Sequence, residues 1–150
     1  MYGITEAVAR ENGYAGPMKD LPRGLAEAIY RKKYFIEPGY DRVHLLSTAV
    51  AEELFDTAVN MGPKFPGEWL QRCLNALNDR EPELVVDGKI GPATILALRA
   101  YLNRRGQPGE VVLVRALNCL QGARYITITE SRPANKAFLF GWLRARVEGV

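Results

Sequence analysis

Apolar residues recur three and four positions apart along most of this chain, and that spacing predicts helices. In "STAVAEELFDTAVNMG" the positions Val50, Ala51, Leu54, Phe55, Ala58 and Val59 form one stripe. Ser47 or Thr48 suits its N-cap, and Gly62-Pro63 closes it. "PGEWLQRCLNALN" sets Leu70, Cys73, Leu74 and Leu77 on one face. "RGLAEAIYRKKYF" spaces Leu25, Ala28, Ile29 and Lys32 in the same way and stops at Pro38-Gly39. The short "EAVARENG" starts after Thr5, a capping residue type, and ends at Gly13. Later, "GPATILALRAYLNRRG" opens with Pro92 at the first helical position. "EVVLVRALNCLQGARYITI" and "PANKAFLFGWLRARV" follow, the last framed by Pro133 and Gly149.

Two stretches break the helical period. "YGIT" reads as the end of a strand or hairpin running into the first helix. "VVDGKIG" reads as a tiny hairpin around Asp87-Gly88, a dipeptide favoured in tight turns. There Ile90 is placed to plug the core and Gly91-Pro92 to launch the next helix. The expected architecture is mainly α, with seven helices and one or two small β elements. Composition shifts slightly over 78–87, which reads as a boundary between lobes. No repeat, low-complexity tract or long linker is present.

The length, 150 residues, fits one domain or two small interlocked lobes. Such a chain buries about 68–70% of its unfolded surface without help from a metal or a disulfide. The formal net charge of +3 is small, and its cations are scattered through "RKK", "NRRG" and "WLRARV". A nucleic-acid partner is therefore not expected, since that calls for clustered Lys and Arg. A loose preference for anionic surfaces such as the bacterial wall is compatible with it. Cys73 and Cys119 both lie in apolar helical patterns and read as small buried hydrophobes, with a lone disulfide as the alternative for an exported protein. There is no CxxC, and His44, the one histidine, reads as a loop or surface residue, so no metal site or cofactor is expected. The most apolar run, "AFLFGWL", is far below the ~20 residues of a membrane span, so stable membrane insertion is not expected. No basic stretch precedes an apolar one at the start, so the chain as written is expected in the cytoplasm, meeting the wall after release or export.

Four segments in order, "YGIT", "YRKKYF", "FDTAVNMGP…WLQRCLN" and "DGKIGPAT", resemble the bacterial N-acetylmuramidases of glycoside hydrolase family 108, whose members have also carried the label secretion activator. The second half is similar to the small peptidoglycan-binding domain that accompanies that family. The resemblance implies a lysozyme-like helical lobe over 1–68, with the small β element, and a C-terminal peptidoglycan-binding helical lobe over 69–150. It implies hydrolysis of the wall's glycan strands, peptidoglycan as partner, no cofactor, and a holin or export partner for delivery. A phage or prophage source would suit an enzyme without a signal peptide.

In that family the general acid is the Glu of a Glu-Gly-Gly-Tyr segment preceding Tyr-Gly-Ile-Thr. No such segment occurs here, so the general acid is expected to be absent from this chain. Glycoside hydrolysis needs a protonated carboxyl at the leaving oxygen, kept protonated by apolar burial. Glu6 and Glu11 lie nearby but read as helix-turn carboxylates. By resemblance Thr5 is the remaining catalytic candidate, positioned to hold water; the plainer reading is a helix cap. Tyr2 and Tyr34 are candidates for lining a sugar cleft, or for core packing. Asp56 and Asn60, four apart on one helix face, are candidates for binding substrate or for a structural hydrogen bond. The alternative to an enzyme is a non-catalytic peptidoglycan-binding or secretion-accessory protein.

Overall fold

The computed structural model describes residues 3–79 and 82–147. They form α1 (Glu6–Glu11), α2 (Arg23–Arg31), α3 (Tyr40–His44), α4 (Thr48–Met61), α5 (Lys64–Leu77), α6 (Pro92–Ser131) and α7 (Lys136–Arg146). A π-helical turn, Lys32–Ile36, extends α2, and short 3-10 turns stand at Met18–Asp20 and Pro133–Asn135.

The mainly α expectation holds, but no strand exists among the described residues, so the small β element is corrected. Ile4 is buried and Thr5 is extended as the α1 cap rather than paired with a strand. At "VVDGKIG" the turn amides go to a side chain of α5 instead of across a ladder. Val85 and Val86 are 77% and 42% exposed, so the arm before the turn has no buried face to reward pairing.

Two other differences are local. The segment after Gly39 forms α3, too short at five residues for a period to show, with His44 exposed in its last turn. The two helices expected over 92–131 run together as α6, broken at Gly106 (φ 62°, ψ −153°), a backbone conformation that glycine reaches without strain. The Tyr101 hydroxyl closes this kink by donating to the Gly109 carbonyl at 2.6 Å.

The stripe of α4 buries Val50, Ala51, Leu54 and Ala58, while Val59 turns outward. It meets Trp69, Leu70, Cys73 and Leu74 of α5, and Leu98, Tyr101, Leu113 and Leu117 of α6, in one core that also takes Tyr40, Val43 and Ile90. A smaller core gathers Ile4, Ala9, Leu21, Ala26 and Ile29 around α1 and α2. Tyr30, packed on the small core, stacks on Tyr34, packed on the large one, with ring centroids 5.5 Å apart. Ser47 caps α4 by accepting the Val50 amide at 3.1 Å, and its hydroxyl donates to the Glu110 carboxylate of α6 at 2.6 Å. That bond ties the start of α4 to the second arm of α6. Cys73 is buried as its pattern implied, whereas Cys119 is exposed; both are free thiols.

The turn before α6 is held from beneath. Gln71 of α5 is 1% exposed. Its Oε1 accepts the amides of Asp87 (3.0 Å) and Gly88 (2.8 Å). Its Nε2 faces Asp87 Oδ1 (3.0 Å), the Lys89 carbonyl (2.9 Å) and Thr94 Oγ1 (3.2 Å), so its two hydrogens are shared among three acceptors. Gly67, one turn earlier on α5, lets the turn lie directly on the helix. A Cβ there would stand 2.5 Å from the Gly88 carbonyl oxygen, a backbone atom that cannot move aside. Ile90, 3% exposed, is thereby pressed into the main core and against Gly39.

Gln71→Leu leaves the Asp87 and Gly88 amides without their acceptor, at a cost of about 2–4 kcal/mol. Thermal unfolding should show a Tm lowered by about 5–15 °C, given roughly 2–4 °C per kcal/mol in a domain of this size. An unchanged Tm would remove the turn from its structural role.

Asp87 adds a pH dependence. Hydrogen bonds from the Lys89 amide and the Gln71 side chain hold its carboxyl below the ordinary carboxylate range. A depressed folded-state value stabilises the fold above the unfolded-chain value, about 4, and that contribution disappears as pH falls through the folded value. Asp87→Asn should therefore give a flatter Tm profile than the parent below about pH 4; parallel profiles would contradict this.

Candidate functional site

Thr5 sits at the start of α1 because an extended residue with a hydroxyl satisfies a helical amide that has no other partner. Its Oγ1 accepts the Val8 amide at 3.3 Å and the side chain is exposed. The hydroxyl proton and one lone pair remain for solvent or ligand. Along α1, Glu6 is ion-paired with Arg10 at 2.8 Å on the surface. Arg10 also donates to the carbonyls of Tyr14 (2.7 Å) and Gly16 (2.9 Å), which folds the loop after α1 back onto the helix.

One turn beyond Thr5, Val8 forms part of the wall of a cleft of about 200 Å³ that also contains Glu11, Lys32, Lys33 and Glu37. Lys33 and Glu37 continue into a second cleft of about 370 Å³, whose far wall is Pro63, Lys64 and the Asp87–Lys89 turn. Two carboxylates, Glu11 and Glu37, thus face one opening, 26 residues apart in sequence with no pattern linking them. Both are exposed. Neither has the apolar enclosure on which general-acid glutamates depend.

The other sequence candidates are not gathered at this opening. Tyr34 is half-buried, stacked on Tyr30, with the Lys33 ammonium 5.4 Å from its ring centre. Asp56 is half-exposed and accepts a 2.7 Å ion-paired hydrogen bond from Arg146 of α7. Asn60 is exposed, and its Nδ2 donates to the Asp56 main-chain carbonyl at 2.7 Å. Asp56 and Asn60 do share a face, yet the pair joins through backbone, and Asp56 spends its carboxylate on α7. Tyr2 lies outside the described residues.

An opening larger than either of these clefts lies on α5 and α6. A groove of about 620 Å³ runs between α5 and α6, with Ala76, Val86, Ala116 and Leu120 on its apolar surface and Arg72 and Glu83 at its edge. Asn75 holds the stretch after α5 in place along it, donating to the Leu84 carbonyl at 3.0 Å and accepting the Leu84 amide at 2.7 Å. Cys73 and Cys119 both reach this groove, and burial raises the Cys73 thiol above its usual value. Sequence reasoning missed Arg72 and Glu83. Their only signal was position, on the polar side of α5 and in the break after it.

No group of three or more His, Cys, Asp or Glu among the described residues could hold a metal ion, and no described helix is long and apolar enough to cross a membrane. Family comparison divides the chain between residues 62 and 65. Residues 1–62 match the model described as Glycosyl hydrolase 108, and residues 65–147 match the one described as Predicted Peptidoglycan domain. The chain belongs to this peptidoglycan-domain family, joined to its hydrolase partner in the order of a family 108 muramidase. Its role is in hydrolysing or binding the peptidoglycan of the cell wall. No curated protein matches the sequence.

Proposed function

We propose that residues 1–68 serve as the lysozyme-type muramidase portion and residues 69–150 as the portion that holds peptidoglycan. The parent reaction is hydrolysis of β-1,4 bonds in the glycan strand, where a carboxylic acid protonates the leaving oxygen and water or a carboxylate attacks the sugar. Thr5 is the water-positioning group of this reading, because its hydroxyl keeps a donor and a lone pair after capping α1. Tyr34 offers a ring face to sugar CH groups, and Asp56 and Asn60 contribute polar contacts at the side of α4.

The observation that carries the reading is the groove on α5 and α6. Its apolar surface suits the methyl groups of alanine-rich stem peptides, and Arg72 and Glu83 at its edge suit their carboxylates and amines. This groove also favours a second reading, in which the 150-residue chain grips the wall without cutting it, as a binding or secretion-accessory protein. Glu6, tied to Arg10 on the surface, and the exposed Glu11 are not proton donors in either reading. A holin or an export partner would deliver the protein to the wall.

The polypeptide of residues 1–150 should co-sediment with purified peptidoglycan, and Arg72→Gln with Glu83→Gln should weaken that binding by about tenfold, the effect of roughly 1.4 kcal/mol. Suspensions of the same peptidoglycan should keep their turbidity. Clearing abolished by Glu6→Gln or Glu11→Gln would place the acid on α1 and overturn this assignment; binding unaffected by the groove variants would move the wall-binding surface elsewhere.

A further inference from the structure

Both thiols of the chain stand in one groove. Helix α5 and the second arm of α6 lie side by side in opposite senses, as three pairings in order show. Phe65 lies under the Arg124 guanidinium, 4.7 Å from its ring centre. Cys73 shares the groove with Ala116 and Cys119, and Leu77 shares the next cleft with Val112. Cys73 therefore comes from the α5 wall and Cys119 from the α6 wall. Burial raises the Cys73 thiol above its usual value, Arg72 opposes this, and the charge of Cys119 adds to it. The two sulfurs are close enough to act on each other through space.

The stem-peptide role of the groove uses neither sulfur. Alanine lines the same surface at Ala76 and Ala116 and would serve at both cysteine positions. The thiols also differ in access: Cys119 is exposed, and Cys73 is only 7% exposed. An accessible thiol opposite a sheltered one has the division of labour of a thiol–disulfide couple. The accessible sulfur meets the incoming disulfide, and the sheltered one resolves the mixed disulfide.

We propose that Cys73 and Cys119 form a reversible disulfide across the α5–α6 groove by exchange with a small-molecule disulfide, and that this bridge closes the groove to peptidoglycan; the closure rests on the role proposed for the groove above. Cys119 gives up its proton, and its thiolate attacks one sulfur of the small disulfide. That S–S bond breaks, a mixed disulfide forms on Cys119, and the first small thiol leaves with the proton. Cys73 then gives up its proton and attacks Cys119 Sγ. The protein S–S bond forms, and the second small thiol leaves with the proton of Cys73. Two protein thiols are oxidised, and one small disulfide is reduced to two thiols. The bridge draws Cys119 from its exposed position toward the α5 wall and ties the two sides of the groove together.

The test is incubation of the folded 150-residue chain with glutathione disulfide, followed by mass spectrometry without reduction. The expected product is a monomer lighter by about 2 Da, for two hydrogens, with its Cys73 and Cys119 peptides joined and separated again by dithiothreitol. Cys119→Ser, at an exposed position where an unchanged Tm verifies the fold, should keep its mass. The oxidised parent should co-sediment with peptidoglycan about tenfold more weakly than the reduced one, and Cys119→Ser should bind alike with and without the oxidant. Unreacted thiols, a glutathione adduct that persists on Cys119, a disulfide-linked dimer, or a bridged monomer that binds peptidoglycan as the reduced chain does would each overturn the proposal. Absence of binding in both states would remove the groove's role and its closure together, while the mass still decides the bridge.

Discussion

The structure turns on one buried amide. Gln71 spends both ends of its side chain on the Asp87–Lys89 turn and so replaces the ladder that a hairpin would have supplied. A fully buried amide carries a heavy desolvation cost unless each of its groups is paired, which makes the arrangement nearly all-or-none. With the turn in place, three things follow. Ile90 enters the main core, Gly91 and Pro92 set the direction of α6, and the turn itself becomes a wall of the cleft that runs back to Lys33 and Glu37. Because Ile90 also meets Gly39, the same contact joins the hydrolase-matched segment to the peptidoglycan-domain segment.

The two family segments meet between residues 62 and 65, yet the core does not divide there. Val50, Ala51 and Leu54 lie before that point, and Leu70, Leu74 and Leu98 after it, in one packed cluster. Polar contacts repeat the pattern. Ser47 binds Glu110, and the side-chain amide of the fully buried Gln121 of α6 lies between the Tyr125 hydroxyl on one side and Glu53 Oε1 of α4 and the Arg146 carbonyl of α7 on the other, two acceptors that call for its nitrogen on their side. Helix α4 therefore belongs by sequence to the hydrolase segment and by packing to the helices that hold the groove. A ligand seated on α5 and α6 acts on a body that includes α4, while α1 and α2 keep a small core of their own, joined through the Tyr30–Tyr34 stack.

Much of the fold was legible because helices declare themselves by spacing. The α4 stripe, the Ser47 cap, the Pro92 start and the break near Gly106 all follow from local rules. What failed was non-local. "VVDGKIG" has the turn dipeptide of a hairpin, but the competing partner, Gln71, stands sixteen residues earlier and looks like any polar helix position. "YGIT" read as a strand end running into the first helix; the structure shows the extended Thr5 serving as a helix cap. The site was less legible than the fold. The face shared by Asp56 and Asn60 was visible at spacing four, but the attachment of Asp56 to Arg146, ninety residues away, was not. The grouping of Glu11 with Glu37, and of Arg72 with Glu83, likewise depends on how α2, α5 and the following segment come together, which no periodicity encodes.

The account is tested most directly by native-state hydrogen exchange, residue by residue, on the parent chain and on Gln71→Leu. If the turn locks both segments into one body, the amides of α4, around Val50–Leu54, should lose protection in step with those of α5 around Leu70–Leu74. Protection kept at parent levels in α4 while α5 and α6 open would show that the two segments are stabilised separately, and would contradict the account.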